Sequence, residues 1–227
     1  MLILAFESSG KAASVAICKD GLLLGQYYQN SGLTHSRTLL AMVESLLKNL
    51  EITSSDINLV AVSRGPGSFT GVRIGVSAAK GFAWGLDIPV CGVSTLEAMA
   101  YQIPGQNIII CPVMDARRNQ VYNALFEWKE GSPVRLCEDR AISLMDLTVD
   151  LKKRNAPCLL LGDGAEISYK FLTEQSISCN QVSELLRFQT AYGVCIAAEN
   201  SADAAVTASL LEPSYLRPSQ AEQTIKN

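Results

Sequence analysis

The sequence predicts an α/β protein of two lobes, each a mixed sheet with helices packed on it. Three observations lead there. The order over roughly the first hundred residues is strand, strand, strand, helix, strand, helix. A run of apolar strand, acid, polar turn and second strand occurs twice, its acid being Glu7 in one copy and Asp115 in the other. Between a short apolar strand and a helix lies Arg64-Gly-Pro-Gly-Ser-Phe-Thr-Gly-Val-Arg-Ile-Gly75, a stretch rich in glycine.

The elements follow in order. Leu2–Glu7 reads as a buried strand, Ser8–Lys11 as a small polar turn and Ala13–Cys18 as a second strand. Asp20-Gly21 is a hairpin signal leading into a strand over Leu22–Tyr28. Ser36–Leu50 is a helix, because Leu39, Leu40, Met42, Val43, Leu46, Leu47 and Leu50 cover a broad apolar face. Strand Leu59–Ser63 enters the glycine-rich loop, and Ser68 or Thr70 caps the helix from about Gly71 to Leu86. Strand Val90–Val93 leads to a helix capped by Ser94 or Thr95. In the second lobe Asn107–Asp115 is a strand, Ala116–Asn119 a turn and Val121–Trp128 a strand. Leu144–Lys153 is a helix capped by Ser143, and Lys152-Lys153-Arg154 reads as its solvated C-terminus. Cys158–Gly162 is a buried strand ending in Gly162-Asp-Gly164, Thr190–Asn200 a helix, and the tail from Pro213 irregular. The lobes are assigned to 1–103 and 104–227.

Composition narrows the function. The 227 residues are 48% hydrophobic and 18% charged, which is globular rather than disordered. A net charge of −3 argues against avid nucleic-acid binding by this chain alone. No apolar run reaches the length of a membrane span. Met1–Phe6 lacks a basic flank and meets Glu7, so it is read as a strand rather than a signal peptide. Seven scattered cysteines, with no Cys-x-x-Cys pair, suit a reducing cytosol.

The glycine-rich loop allows a tight turn and close backbone approach. Feeding a helix N-terminus, it suits an anion, a closely packed neighbour or simply a rigid cap. It is not a phosphate-binding Gly-Lys-Ser/Thr loop, since Gly71 is followed by Val72-Arg73. The helix after it carries Gly71, Gly75, Ala78, Ala79, Ala83 and Gly85. Each glycine costs about 1 kcal/mol relative to alanine. That cost makes sense where another helix, of this chain or another, comes close. The single histidine, His35, excludes a Cys₂His₂ or His₃ zinc site. Glu7 and Asp115 either orient a metal-bound nucleotide or cap their turns. Arg117 and Arg118 either bind phosphate or pair across the lobes. Asp163, between two glycines, suits a loop near a nucleoside or a plain turn.

The whole glycine-rich string resembles the signature of the bacterial TsaB family, formerly YeaZ. The resemblance extends to His35-Ser36, Gly92-Val-Ser-Thr-Leu96, Asp115-Ala-Arg-Arg118 and Pro213-Ser-Tyr-Leu-Arg-Pro218, and so spans essentially the full length. It implies two lobes of actin-like ATPase (ribonuclease H-like) type, in which paired hairpins hold nucleotide phosphates and a metal. It implies a cytoplasmic, non-catalytic subunit that binds a TsaD homologue, or a second copy of itself when alone. With TsaD, a TsaE homologue and ATP, it supports transfer of threonylcarbamoyl to the adenosine next to the anticodon of tRNAs reading codons that start with A. TsaD uses a His-x-x-x-His metal site in this chemistry; here Leu39 stands four residues after His35. The partner surface implied is His35, Leu39, Met42, Val43, Leu46, Gly71, Gly75, Ala78, Ala79 and Phe82. The candidate nucleotide or anion site is Glu7, Ser8, Ser68, Thr70, Asp115, Arg117 and Asp163. No intrinsic cofactor or metal is expected; ATP or ADP and Mg²⁺ belong to the complex, and tRNA is reached only through it. Glu7 departs from the family's Asp, and Arg37 from its acidic or polar residue. The rival reading is an actin-like ATPase or a glycoprotease-type peptidase acting alone.

Overall fold

The computed structural model of the chain describes residues 1–105 and 107–217. Pro218 of the tail motif lies outside the described residues. The first sheet comprises β1 (Leu2–Glu7), β2 (Ala13–Lys19), β3 (Leu22–Gln29), β4 (Leu59–Ser63) and β5 (Val90–Val93), in the order β3-β2-β1-β4-β5. Helix α1 (His35–Asn49) connects β3 to β4, α2 (Phe69–Leu86) connects β4 to β5, and α3 (Thr95–Tyr101) follows β5.

The second sheet repeats the plan. It comprises β6 (Ile109–Asp115), β7 (Gln120–Asn123), β10 (Arg140–Ser143), β11 (Cys158–Leu161) and β12 (Cys179–Gln181), in the order β10-β7-β6-β11-β12. A hairpin of β8 (Phe126–Lys129) and β9 (Ser132–Arg135) is added against β6. Helix α4 (Leu144–Arg154) connects β10 to β11, α5 (Ala165–Glu174) connects β11 to β12, and α6 (Glu184–Arg187) and α7 (Ala191–Asn200) close the series. In both sheets the first strand pairs antiparallel with the next and parallel with the strand that follows the first helix.

Side-chain alternation builds five layers. Leu4 and Phe6 of β1 point into a core with Leu39, Met42, Val43 and Leu46 of α1 and Val72, Val76, Ala79 and Ala83 of α2. Ile3 and Ala5 point the other way, onto Ala191, Val194, Cys195 and Ala198 of α7. In the second sheet Ile109, Cys111 and Val113 face α4 and α5, while Ile110 and Met114 face Leu96, Met99 and Ala100 of α3. This is the period-2 strand pattern with both faces covered. The terminal helices are exchanged: α3 leaves the first sheet to cover the second, and α7 returns to cover the first.

That exchange corrects the expected division into 1–103 and 104–227. Besides α7, Val206 bridges to Val90, and Ala208 and Leu211 enter the core beneath α1 and α2. The apolar second face of the first sheet needs this cover, and the first hundred residues do not supply it. A second correction concerns Val121–Trp128. It is two strands, because β7 stops pairing with β10 at Asn123, whose buried amide donates to Pro112 O and Ala124 O. Beyond it β8 turns back on β9 through Glu130-Gly131, both at positive φ.

Three glycines of the Arg64–Gly75 stretch face inward. A Cβ on Gly67 or Gly71 would collide with the backbone of Ser9 or Ser8, and one on Gly75 with the Ser8 hydroxyl. Two hydrogen bonds close the same contact: Ser68 N–H donates to Ser9 O (2.7 Å), and Ser8 Oγ donates to Gly71 O (2.8 Å). Overpacking here costs about 1–3 kcal/mol. Replacing a helical glycine returns at most about 1 kcal/mol of propensity. Gly75→Leu is therefore expected to lower the melting temperature by several degrees in a calorimetric scan; an unchanged or higher Tm would show that the contact is slack.

Candidate functional site

A cleft of about 620 Å³ opens between the lobes, beyond the C-terminal ends of β1, β4, β6 and β11. The first lobe lines it with the turn Ser9–Lys11 and the loop Pro66–Thr70. The second contributes the hairpin Met114–Arg118, Tyr122 and Asp163, and the tail Ser214–Arg217 closes one wall.

The hairpin tip is strained. Arg117, Arg118 and Asn119 take φ of 62°, 54° and 57° in succession, a left-handed run that costs energy for residues with a Cβ. Asp115 stabilises it, its Oδ1 accepting from Arg117 N–H at 2.7 Å. Asp163 Oδ1 in turn accepts from Asp115 N–H at 3.0 Å. Burial, and the neighbouring Asp115 charge, raise the Asp163 carboxyl above the ordinary carboxylate range, while Lys11 across the cleft opposes them. Arg117 and Arg118 are exposed and, among the described residues, form no ion pair.

Glu7 is not at the cleft surface. It is wholly buried, its Oε1 accepting from Ser9 N–H and Ser9 Oγ–H at 2.6 Å each. Its Oε2 and the Ser63 hydroxyl are buried without a hydrogen-bond partner within 3.5 Å. Burial raises its pKa above the ordinary carboxylate value, and the two hydrogen bonds from Ser9 oppose this in part. The expectation of two acids facing one cleft is corrected: Asp115 faces it, and the longer Glu7 folds back onto its own turn. A Glu7–Asp115 pair therefore does not fit a shared Mg²⁺. Ser8 is likewise buried, bonded to Gly71 O. Ser68 caps α2 by accepting from Gly71 N–H (3.3 Å), and it lines the cleft with exposed Thr70. Among the described residues no three His, Cys, Asp or Glu side chains converge as metal ligands.

The expected partner surface is also rearranged. Leu39, Met42, Val43, Leu46, Gly71, Gly75 and Ala79 are buried within this chain. Each large apolar side chain among them stabilises the core by about 1.5–3 kcal/mol, so none is free to turn toward a partner. His35 is half-buried, its Nε2–H donating to Gly10 O (2.9 Å) and tying α1 to the first turn. Ala78 and Phe82 are half-buried, with Phe82 edge-on to Phe6. The apolar and small residues left at the surface of the α1–α2 pair are Leu40, Ala41 and Ser45 with Ser77, Gly81, Trp84 and Gly85, beside half-buried Ile74 and Ala78, the last of these from the expected set. Trp84 is 80% exposed, and a Cβ on Gly81 or Gly85 would meet nothing within 4 Å. The helical spacing 74, 77, 78, 81, 85 is present in the sequence, but so is the parallel inward row 71, 75, 79, and both are rich in small residues.

Comparisons with known proteins accord with this architecture. The family model described as TsaD, tRNA N6-adenosine threonylcarbamoyltransferase, matches residues 29–224. The tRNA threonylcarbamoyladenosine biosynthesis protein TsaB of Bacillus subtilis (strain 168) is 34% identical over 174 residues, covering 77% of this chain and 76% of that protein. The solved structure of YeaZ from Pseudomonas aeruginosa superposes with a TM-score of 0.80 at 27% identity, over 95% of this chain and 99% of that one. Component A of the (R)-2-hydroxyglutaryl-CoA dehydratase of Acidaminococcus fermentans, at a TM-score of 0.50 and 12% identity, shares the fold alone. The two lobes with repeated sheets are of the actin-like ATPase type.

The buried Glu7 gives a signed pH dependence. Above its ordinary value of 4.5, Glu7 in the unfolded chain ionises while the buried carboxyl keeps its proton. Stability from this group is full below 4.5 and falls as pH rises toward the raised folded value. Gln at this position keeps the Oε1 acceptor and removes the titration. Calorimetric Tm values measured from pH 4.5 to 8 are expected to favour Glu7→Gln over the wild type increasingly with pH; parallel curves would contradict the assignment.

Proposed function

The chain belongs to the TsaB family of tRNA threonylcarbamoyladenosine biosynthesis proteins, and we propose that within that modification system it is a non-catalytic subunit whose α1–α2 face docks the catalytic TsaD homologue. One observation carries this reading: the open glycines 81 and 85 beside exposed Trp84. Two glycines in the outer face of a helix lower its stability and, with no neighbour in this chain, return nothing. They become useful when a second helix lies close, with Trp84 as an aromatic anchor at the contact. A second copy of the chain covers the same face when the partner is absent. His35 is engaged with Gly10, and buried Leu39 follows one turn later, so the chain presents no pair of imidazoles for a metal.

ATP or ADP with Mg²⁺ enters with the assembled complex and the TsaE homologue. This chain withdraws Glu7 from the cleft, and Lys11, Arg117 and Arg118, which suit an anion, line it beside Asp115 and Asp163. tRNA is reached through the complex. The place of action is the cytosol: all seven cysteines are free thiols, six of them buried. Among the described residues no helix is long and apolar enough to cross a membrane.

The test separates stability from binding. Gly81→Leu and Gly85→Leu fill open space on an exposed helix and add up to about 1 kcal/mol of helix propensity each, worth roughly 2–4 °C in Tm for a chain of this size. Both variants are expected to melt at or above the wild-type temperature yet lose co-purification with the TsaD homologue of the same cell. The isolated wild type, given threonylcarbamoyl adenylate and tRNA, is expected to transfer nothing. Wild-type binding by both stable variants, or robust transfer by the lone chain, would overturn the reading.

A further inference from the structure

We propose that residues 211–217 form a strap that holds the two lobes at a fixed opening of the cleft, anchored on the first lobe by Ser214 and Tyr215 and on the second by Arg217. The first-lobe anchor is extensive. Leu211 is buried in the core beneath α2, and Lys80 Nζ donates to Leu211 O at 3.0 Å. Ser214 N–H donates to Arg64 O at 2.7 Å, and the Ser214 carbonyl occupies the place a Cβ on Gly65 would take, with Gly65 at φ +121°. Tyr215 stacks on Phe69 at 4.7 Å between centroids and accepts from Arg73 Nε–H at 2.8 Å, while the Arg73 guanidinium lies 4.1 Å from the Phe69 ring centre. Stacking and cation–π contact fix the ring as a wall of the cleft.

Two residues later the chain reaches the other lobe. The Arg217 guanidinium donates to Ala116 O at 2.8 Å and to Gln120 Oε1. Ala116 and Gln120 bracket the strained β6–β7 hairpin that carries Arg117 and Arg118. Among the described residues these are the hydrogen bonds that join the tail to the second lobe at the mouth. The base of the cleft is held separately, by the α3–α7 contact, by Ser94 donating to Asp139 (2.6 Å) and by the Arg135–Glu97 ion pair (3.0 Å). Lobes joined at the base and, among the described residues, tied by the tail to the second lobe at the mouth through the Arg217 guanidinium are free to hinge when that tie is cut. A bidentate, charge-assisted contact suits such a tie because its planar fork fixes direction as well as distance.

Residual dipolar couplings of the two sheets, recorded on the full chain, read the relative orientation of the lobes. In the wild type one alignment tensor is expected to fit both sheets. Arg217→Ala, which cuts the second anchor, and Tyr215→Ala, which loosens the first, are each expected to lose that common tensor: each sheet still fits on its own, with smaller couplings in the second. Arg118→Ala, on the same hairpin but untied, is the control and should keep it. Intact single-tensor fits in both strap variants would overturn the proposal.

Discussion

The contact on which the rest of this structure depends is the approach of three glycines, 67, 71 and 75, to the backbone turn Ser8–Ser9. No side chain fits there, and two hydrogen bonds close it. It fixes the rotation of α2 about its axis. With 71, 75 and 79 turned inward, a period of 3.6 residues sends 74, 77, 78, 81 and 85 toward solvent. The internal requirement for glycine thus decides which small residues are left outside. It also sets Ser68 as the cap of α2 and brings the loop Pro66–Thr70 to the cleft. The signature is in this chain a packing device, and it sets which surface of α2 is presented to solvent.

The two lobes repeat one strand order, but they are not independent bodies. Each sheet needs helices on both faces, and each half supplies its own outer pair and the other's inner cover. The exchange of α3 and α7 places Ala98, Ala191, Ala197 and Ala198, all small, between the sheets. Small residues bring the layers close and seat the cleft on a rigid base. The polar residues buried behind the first turn, Glu7, Ser9, Ser63 and Gln189, lie in the same region, with several oxygens unpartnered. Burial raises the pKa of the carboxyl there and makes the stability depend on pH.

Much of the fold was legible because its signals are local. Period-2 alternation ending in an acid marked β1 and β6, and the broad apolar face marked α1. Ser94 and Ser143 capped the helices expected of them. The added hairpin β8–β9, the three-residue β12 and helix α5 escaped, being short or masked by the Gly162-Asp-Gly164 turn. The candidate site was less legible, for two physical reasons. An apolar helix face reads the same whether a sheet of its own chain or a second chain covers it, so Leu39, Met42, Val43 and Leu46 were given to a partner and belong to the core. An acid at a strand end reads the same whether it is buried or lies at a cleft surface: Glu7 and Asp115 both accept from the N–H two residues on, but Glu7 is wholly buried while Asp115 is exposed at the cleft. Arg217 carried no periodicity at all; its role depends on where a tail crosses the lobes, which only tertiary structure specifies.

The most direct measurement of the central claim is hydrogen–deuterium exchange by mass spectrometry on the chain alone and in complex with the TsaD homologue. The account predicts protection on binding in peptides spanning 37–48 and 74–85, with the second-lobe helices α4 and α5 unchanged. Protection confined to α4, α5 or the β6–β7 hairpin, with 74–85 exchanging as in the free chain, would contradict it.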